Sequence, residues 1–360
     1  MCFETDESPT LSRQVVADVG GTFARFAEVD GALRPVRERV LVCADHEDFE
    51  TLFKAYLDTV HGERPLRAAV AIANPICGDK IAMTNSDWSF SIDRVRRQLA
   101  LDELWFVNDF TAQAMALPWL HADDVVPIGG VSKAPSGTKA VLGPGTGLGV
   151  SGLIDVGGNW IPLASEGGHA TVSPVNPRET AIVGMCQRRF EHVSVERLIS
   201  GNGLENLYSA ICQLNDLPVA QLSAADISQR AVARTDVSCI EALETFCSLL
   251  GTTAGNLALT LGATGGVYVS GGILPRLGSY LANSSFRERF EAKGRLSSYL
   301  ARIPTYLVRA PNPALLGLAK AFGPFQAFIE DFRALTGQPL ATGNHADSLS
   351  RPSSRVRQPT

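Results

Sequence analysis

The spacing of apolar positions predicts strands before helices. Apolar-rich runs at 13–19, 22–29 and 35–43 follow one another closely, so three short strands joined by tight turns are expected. The period then changes. Phe49, Leu52, Phe53, Tyr56, Leu57 and Val60 recur three and four apart, which predicts a helix within 47–61 covering one face of that sheet. The unbroken run 66–73, bounded by Asn74-Pro75, reads as a buried strand. Ile81 and Met83 mark a polar-edged strand, 92–101 is helical, 104–107 is another buried strand, and 110–120 continues as helix. Hairpins mixed with strand–helix units predict an α/β fold.

The second part of the chain repeats the opening. Residues 139–154 again read as strand, Gly/Thr turn and strand, which suggests a duplicated architecture. A short strand at 160–163 is followed by helical patterns at 179–190, 193–201 and 204–214. Ser223 opens a helix with Asp226 three residues on, and Ser238 with Glu241 has the capping-box pattern before the longest helix. That helix places apolar residues at 240, 243, 247, 250, 254, 257 and 261, a seam suited to core or to a coiled-coil partner. Strands at 267–269 and 305–308, a helix opened by Asn312-Pro313 and running to 322, and a helix at 325–335 complete the pattern. Residues 1–12 read as a flexible N-terminus and 336–360 as a disordered polar tail.

Composition narrows the function. With 360 residues, 45% hydrophobic and 19% charged, the chain can bury two cores of ordinary size. A net charge of −5 argues against a nucleic-acid footprint, so a polyanionic ligand must be met locally, by backbone N–H groups and magnesium. The seven cysteines are odd in number and lack a CxxC pair, which excludes a disulfide framework and a cysteine zinc cage. The acidic N-terminus has no apolar run of the signal-peptide kind. The apolar stretch 252–269 is broken by Asn256 and four glycines, so no membrane span is expected. A cytoplasmic protein without membrane or nucleic-acid partners is the expectation.

Candidate chemistry sits at the turns. Asp18, Gly20, Gly21 and Thr22 close the first hairpin, where a two-residue turn would use glycine at positive φ. Such a turn either cradles phosphate beside a magnesium-binding carboxylate or is an ordinary Gly-Gly turn with a solvated acid. Gly145, Thr146, Gly147 and Gly149 form its counterpart. Neither turn is a P-loop, since the chain has no Gly-Lys dipeptide, and neither opens a helix as a dinucleotide fingerprint would. Asn108 and Asp109 end a strand. Asp109 or Thr111 reads as the next helix's N-cap, or Asp109 as a general base at the strand ends where α/β sheets bind ligands. Glu166-Gly-Gly-His169 reads as a turn. Glu196 suits a first-turn acid, and Ser270-Gly271-Gly272 either turns the chain or lets backbone approach a flat ligand.

The segments ADVGGTFARF, MTNSDWSFS, NDFTAQAMALP, GPGTGLGV, SEGGHATVSP, SVERLISGNGLENLY, VSGGILPR and NPALLGLA stand in one order over 13–322. In that order the chain resembles the bacterial glucokinases of the hexokinase, actin and heat-shock-chaperone ATPase superfamily. The resemblance implies a two-domain actin-like, ribonuclease-H-like fold of mixed sheets flanked by helices, with a cleft between the domains. Its small domain would take 13–110 plus 313–335, and its large domain 111–312. The implied reaction is ATP-dependent phosphorylation of glucose at the 6-hydroxyl. Asp109 would be its base, and Asn108, Asp109, Glu166, His169 and Glu196 would bind the sugar. Asp18, Gly20, Gly21, Thr22, Gly145, Thr146, Gly147, Gly149, Ser270, Gly271 and Gly272 would hold ATP, with Asp18 serving Mg2+ through water. A homodimer is implied as well. A sugar-responsive regulator is disfavoured by the dozen residues before the first strand and by Asp109 itself.

Overall fold

The computed structural model describes residues 11–339, apart from 85, 130, 132–135 and 278. The flexible N-terminus and most of the polar tail expected from composition lie outside the described residues.

Strands β1 (Leu11–Val19), β2 (Phe23–Asp30) and β3 (Pro35–Val42) form an antiparallel meander. β4 (Arg67–Ile72) and β7 (Glu103–Asn108) add parallel to β1, in the order β3-β2-β1-β4-β7, with β5 (Lys80–Ala82) and β6 (Ser89–Ser91) as a separate hairpin. The second sheet holds β8 (Val125–Pro127), β9 (Lys139–Pro144), β10 (Leu148–Val156), β11 (Asn159–Leu163), β12 (Val267–Val269) and β13 (Thr305–Val308). Its order is β11-β10-β9-β12-β13-β8. Apart from the antiparallel edge strand β8, it repeats the first sheet: a three-stranded meander followed by two parallel strands. The duplication read from two Gly/Thr hairpins is therefore a duplication of topology.

The helices are α1 (Phe49–Leu57), α2 (Ile92–Gln98), α3 (Asp109–Ala116), α4 (Pro177–Gln187), α5 (Gly201–Leu214), α6 (Ala224–Val232) and α7 (Val237–Leu261). Three short ones follow, α8 (Tyr280–Asn283), α9 (Phe286–Glu291) and α10 (Ser297–Leu300), and then α11 (Pro313–Ala321) and α12 (Gln326–Thr336). The parallel strands β1, β4 and β7 are buried on both faces, which is why they read as continuous apolar runs. Phe49, Phe53 and Tyr56 of α1 pack with Phe26 and Phe106 on one face. α11 and α3 lie between the two sheets: α11 packs on β1 and β4, and α3 on β9, β10 and β11. Alternate residues of the second sheet serve two cores, Val141 and Leu153 facing α3 while Leu142 and Val150 join the core built on α5 and α7.

Several boundaries differ from the sequence expectation. The β1–β2 link has three residues, closed by Gly20 N–H donating to Phe23 O at 3.0 Å, and neither Gly20 nor Gly21 has positive φ. The longer link removes the need for a left-handed residue. Asn108, not Asp109 or Thr111, caps α3, its Oδ1 accepting from Phe110 N at 2.9 Å and Thr111 N at 3.3 Å. The helix ends at Ala116, ahead of a 3-10 turn that contains Pro118. α7 is capped by Asp236 rather than Ser238, which lies inside its first turn. Leu243, Cys247, Leu250 and Ala254 of its seam are fully buried in the second core. Residues 193–200 are not helical. They fold back on 168–172, with Val172 N donating to Val193 O, Val195 N to Ala170 O and Glu196 N to Gly168 O. Gln338, assigned by composition to the tail, is buried, and its amide pairs with both backbone groups of Phe106 on the edge strand β7.

Candidate active site

The parallel register brings the first site residues level. Val19, Ile72 and Asn108 are successive cross-strand partners, so Asp18 and Asn108 lie at the carboxyl ends of β1 and β7. Two strand spacings, about 10 Å, separate those strands. Asp18 stands opposite Arg25 of β2. Burial lifts its carboxyl to about 6, against the opposing pull of Arg25. Asp109 is the first residue of α3, where its Oδ1 accepts from Phe110 N at 2.9 Å. Burial, then the charge of Asp18, and to a lesser extent that of Glu166, push it up to about 7 despite that hydrogen bond. Asp109 thus responds to one carboxylate from the first sheet and one from a turn that follows β11 of the second.

The second half of the site is built on the β9–β10 hairpin. Gly145 N donates to Gly147 O, Gly145 O accepts from Gly201 N at the start of α5, and Leu148 N donates to Glu196 Oε2 at 2.8 Å. Any side chain at 147 would overlap the Glu196 carboxylate, and one at 149 would overlap the Phe110 ring. The ring leaves no room at 149, whereas at 147 the obstacle is the movable end of the Glu196 side chain. The turn Gly167–His169 follows Glu166, and His169 N donates to Glu166 O. Burial raises the Glu166 carboxyl above its ordinary value, the charge of His169 opposes this, and Glu196 adds to it. Glu166, His169 and Glu196 are therefore neighbours, and Glu166 connects them to Asp109.

The predicted nucleotide residues are not equivalent. The N–H groups of Gly20 and Gly145 are spent inside their own turns, while Gly21, Thr22 and Thr146 are exposed. Ser270 is buried, and its hydroxyl donates to Gln113 Oε1 of α3 at 2.7 Å. Gly271 has a φ of +102° and packs on the Pro144 carbonyl, whereas Gly272 borders open space. Sequence reasoning missed Phe110 and Gln113, which tie α3 to the second hairpin and to β12. In the pattern both look like ordinary helix residues. A cavity of about 390 Å³ lies behind the Glu166–His169 turn, between β10 and α7, away from the Asp18–Asp109 pair.

Among the described residues no group of three or more His, Cys, Asp or Glu side chains could by itself hold a metal ion. The acids gathered here are Asp18, Asp109, Glu166 and Glu196, of which burial makes Asp18 and Asp109 costly to ionise alone. That donor set fits a hard divalent cation that keeps most of its waters, as Mg2+ does.

A protein-family model described as Glucokinase matches residues 15–323. The chain belongs to the glucokinase family. It is 50% identical over 310 residues to a glucokinase of Aromatoleum aromaticum, a match covering 86% of this chain and 94% of that one. It also matches the crystal structure of a glucokinase from an Antarctic psychrotroph, with a TM-score of 0.77 and 35% identity, covering 88% and 98% of the two chains. A glucokinase of the ROK family from Streptomyces griseus, solved with glucose and AMPPNP, shares the fold at a TM-score of 0.58 and 18% identity, over 85% and 98%. The family makes this chain a sugar kinase, with the actin-like ATPase fold of its structural neighbours. Among the described residues no helix is long and apolar enough to cross a membrane.

Proposed function

We propose that the chain transfers the γ-phosphoryl group of ATP to the 6-hydroxyl of glucose, with Asp109 as general base. The observation that carries this reading is the carboxylate at the first turn of α3, raised to about 7 by burial and by carboxylates from both halves. A base poised near neutral pH can take a hydroxyl proton from its ionised fraction, about half of the molecules at pH 7. The sugar O6 attacks the γ-phosphorus, its proton passes to Asp109, and the bond to the ADP leaving oxygen breaks.

The remaining residues position the reactants. Asn108 spends its Oδ1 on capping α3, which leaves its Nδ2 to donate to a sugar hydroxyl. Glu166, His169 and Glu196 supply further acceptors and donors for vicinal hydroxyls. Gly21 and Thr22 meet the phosphates from one sheet, Thr146 and Gly147 from the other, and Gly271-Gly272 gives the adenosine side a bare backbone. Asp18 would hold Mg2+ through water. The ion, when bound, neutralises phosphate charge during a transfer in which positioning and charge carry most of the rate.

The two hairpins belong to different sheets, so productive binding requires the small domain (13–110 plus 313–335) to close on the large one (111–312). The homodimer implied by the resemblance is proposed with it. A coupled ADP-release assay with ATP and Mg2+ tests the reading against glucose, mannose, fructose, glucosamine and N-acetylmannosamine. Glucose turnover far above the others supports it. Preference for another sugar, or no turnover with any, overturns it.

A further inference from the structure

Glu196 does two jobs at once. Its Oε2 accepts the Leu148 N–H of the β9–β10 turn at 2.8 Å and occupies the space a side chain at 147 would need. Its main chain continues the connection. Glu196 N donates to Gly168 O in the turn of Glu166 and His169, and Glu196 O accepts from Ser200 Oγ at 2.8 Å. Ser200 caps α5 by accepting from Gly203 N, and Gly201 N donates back to Gly145 O at 2.9 Å. The circuit runs from hairpin to carboxylate, along 196–201, and back to the hairpin.

We propose that Glu196 is a positioning residue for the nucleotide as well as a sugar ligand, so that glucose and ATP bind with positive coupling. The inference rests on the sugar-kinase reading. One carboxylate oxygen holds the hairpin turn and the other is left for a sugar hydroxyl. A sugar on the second oxygen fixes the side chain, and a fixed side chain holds the turn in the conformation that receives phosphate. The second ligand then pays less ordering cost than the first. The coupling is reciprocal, so a nucleotide on the hairpin tightens sugar binding by the same factor, on the order of 5- to 10-fold.

Titration calorimetry on the full chain tests this, with AMPPNP–Mg2+ and glucose as probes. Glu196→Ala removes both arms, whereas Glu196→Gln keeps an acceptor for Leu148 N–H. Without sugar, AMPPNP affinity is expected to fall several-fold in Glu196→Ala and to return to near wild type in Glu196→Gln, while both variants lose glucose affinity. Gly147→Ala lies on the nucleotide side and displaces the carboxylate, so it weakens glucose binding several-fold even without nucleotide. A thermal melt confirms that each variant is folded. Unchanged AMPPNP affinity in Glu196→Ala, or unchanged glucose affinity in Gly147→Ala, overturns the coupling while the sugar-kinase reading stands. Failure of the wild type to bind glucose overturns both.

Discussion

Asp109 and Asp18 are held above the ordinary carboxylate value of 3.8, and the sign of that shift has consequences for both stability and rate. A raised folded-state value means that the protonated form favours the fold. The contribution is full below about pH 4 and is lost as pH rises through about 6 for Asp18 and about 7 for Asp109. Asp109→Asn removes its share of this loss. Its melting temperature should therefore exceed the wild type's by more at about pH 8 than at about pH 5, and an equal gain at both would contradict the burial argument. Catalysis runs the other way, because the base must be ionised. The free enzyme's kcat/KM for glucose should rise with pH around an apparent value near 7, and a profile flat from about pH 6 to 8 would remove Asp109 from the base role. Asp18→Asn should raise the Mg2+ concentration needed for half-maximal rate. An unchanged Mg2+ titration would sink that assignment. At this scale the candidate site was legible where chemistry is local: an acid before two glycines, or an Asn-Asp at a strand end. The cap role of Asn108 was assigned to its neighbours, because which residue leaves helical φ/ψ depends on where β7 stops.

At the scale of elements, long-range partners decided what periodicity did not. The strands and most helices were readable from apolar spacing. β6, β8 and the fold-back at 193–200 were not, although the equally short β5 and β12 were, because β6 carries a single apolar residue, β8 ends on Pro127 and the fold-back pairs irregularly. Phe110 is the clearest case. Its place in the pattern says only "helix", yet its ring lies where a side chain at 149 would stand and so locks α3 to the second hairpin. Gly149→Ala should displace that ring, destabilise the fold by about 1–3 kcal/mol through overpacking, and lower kcat by disturbing the adjacent Asp109. Wild-type melting and turnover in this variant would refute the packing. Gln338 makes the same point from the other end of the chain. Its side chain completes the hydrogen bonding of Phe106 on an edge strand, a partner 232 residues away. Gln338→Ala should cost about 1–3 kcal/mol by leaving buried backbone groups unpaired, as read from denaturant midpoints.

At the scale of the whole molecule, two main sheets share one five-strand order, the second adding β8 at its edge, with α3 and α11 between them. Each sheet contributes one Gly/Thr hairpin, and the carboxylates that raise Asp109 come from both sides. The proposed closure would bring these halves together and exclude water that would otherwise take the phosphoryl group. Small-angle scattering should therefore show compaction on adding glucose, and an unchanged radius of gyration would exclude closure of that kind. The architecture was legible because the two hairpins repeat in sequence. The sandwiched position of α3 was not, since nothing in its short apolar pattern says that both of its faces are covered. The central claim is that the carboxylate opening this helix is the base for phosphoryl transfer to sugar. Its most direct test is turnover of Asp109→Asn at saturating glucose and ATP–Mg2+, with glucose affinity measured on the same preparation. The account predicts a fall in kcat of about 10²–10⁴-fold with glucose affinity little changed, and near-wild-type turnover would contradict it.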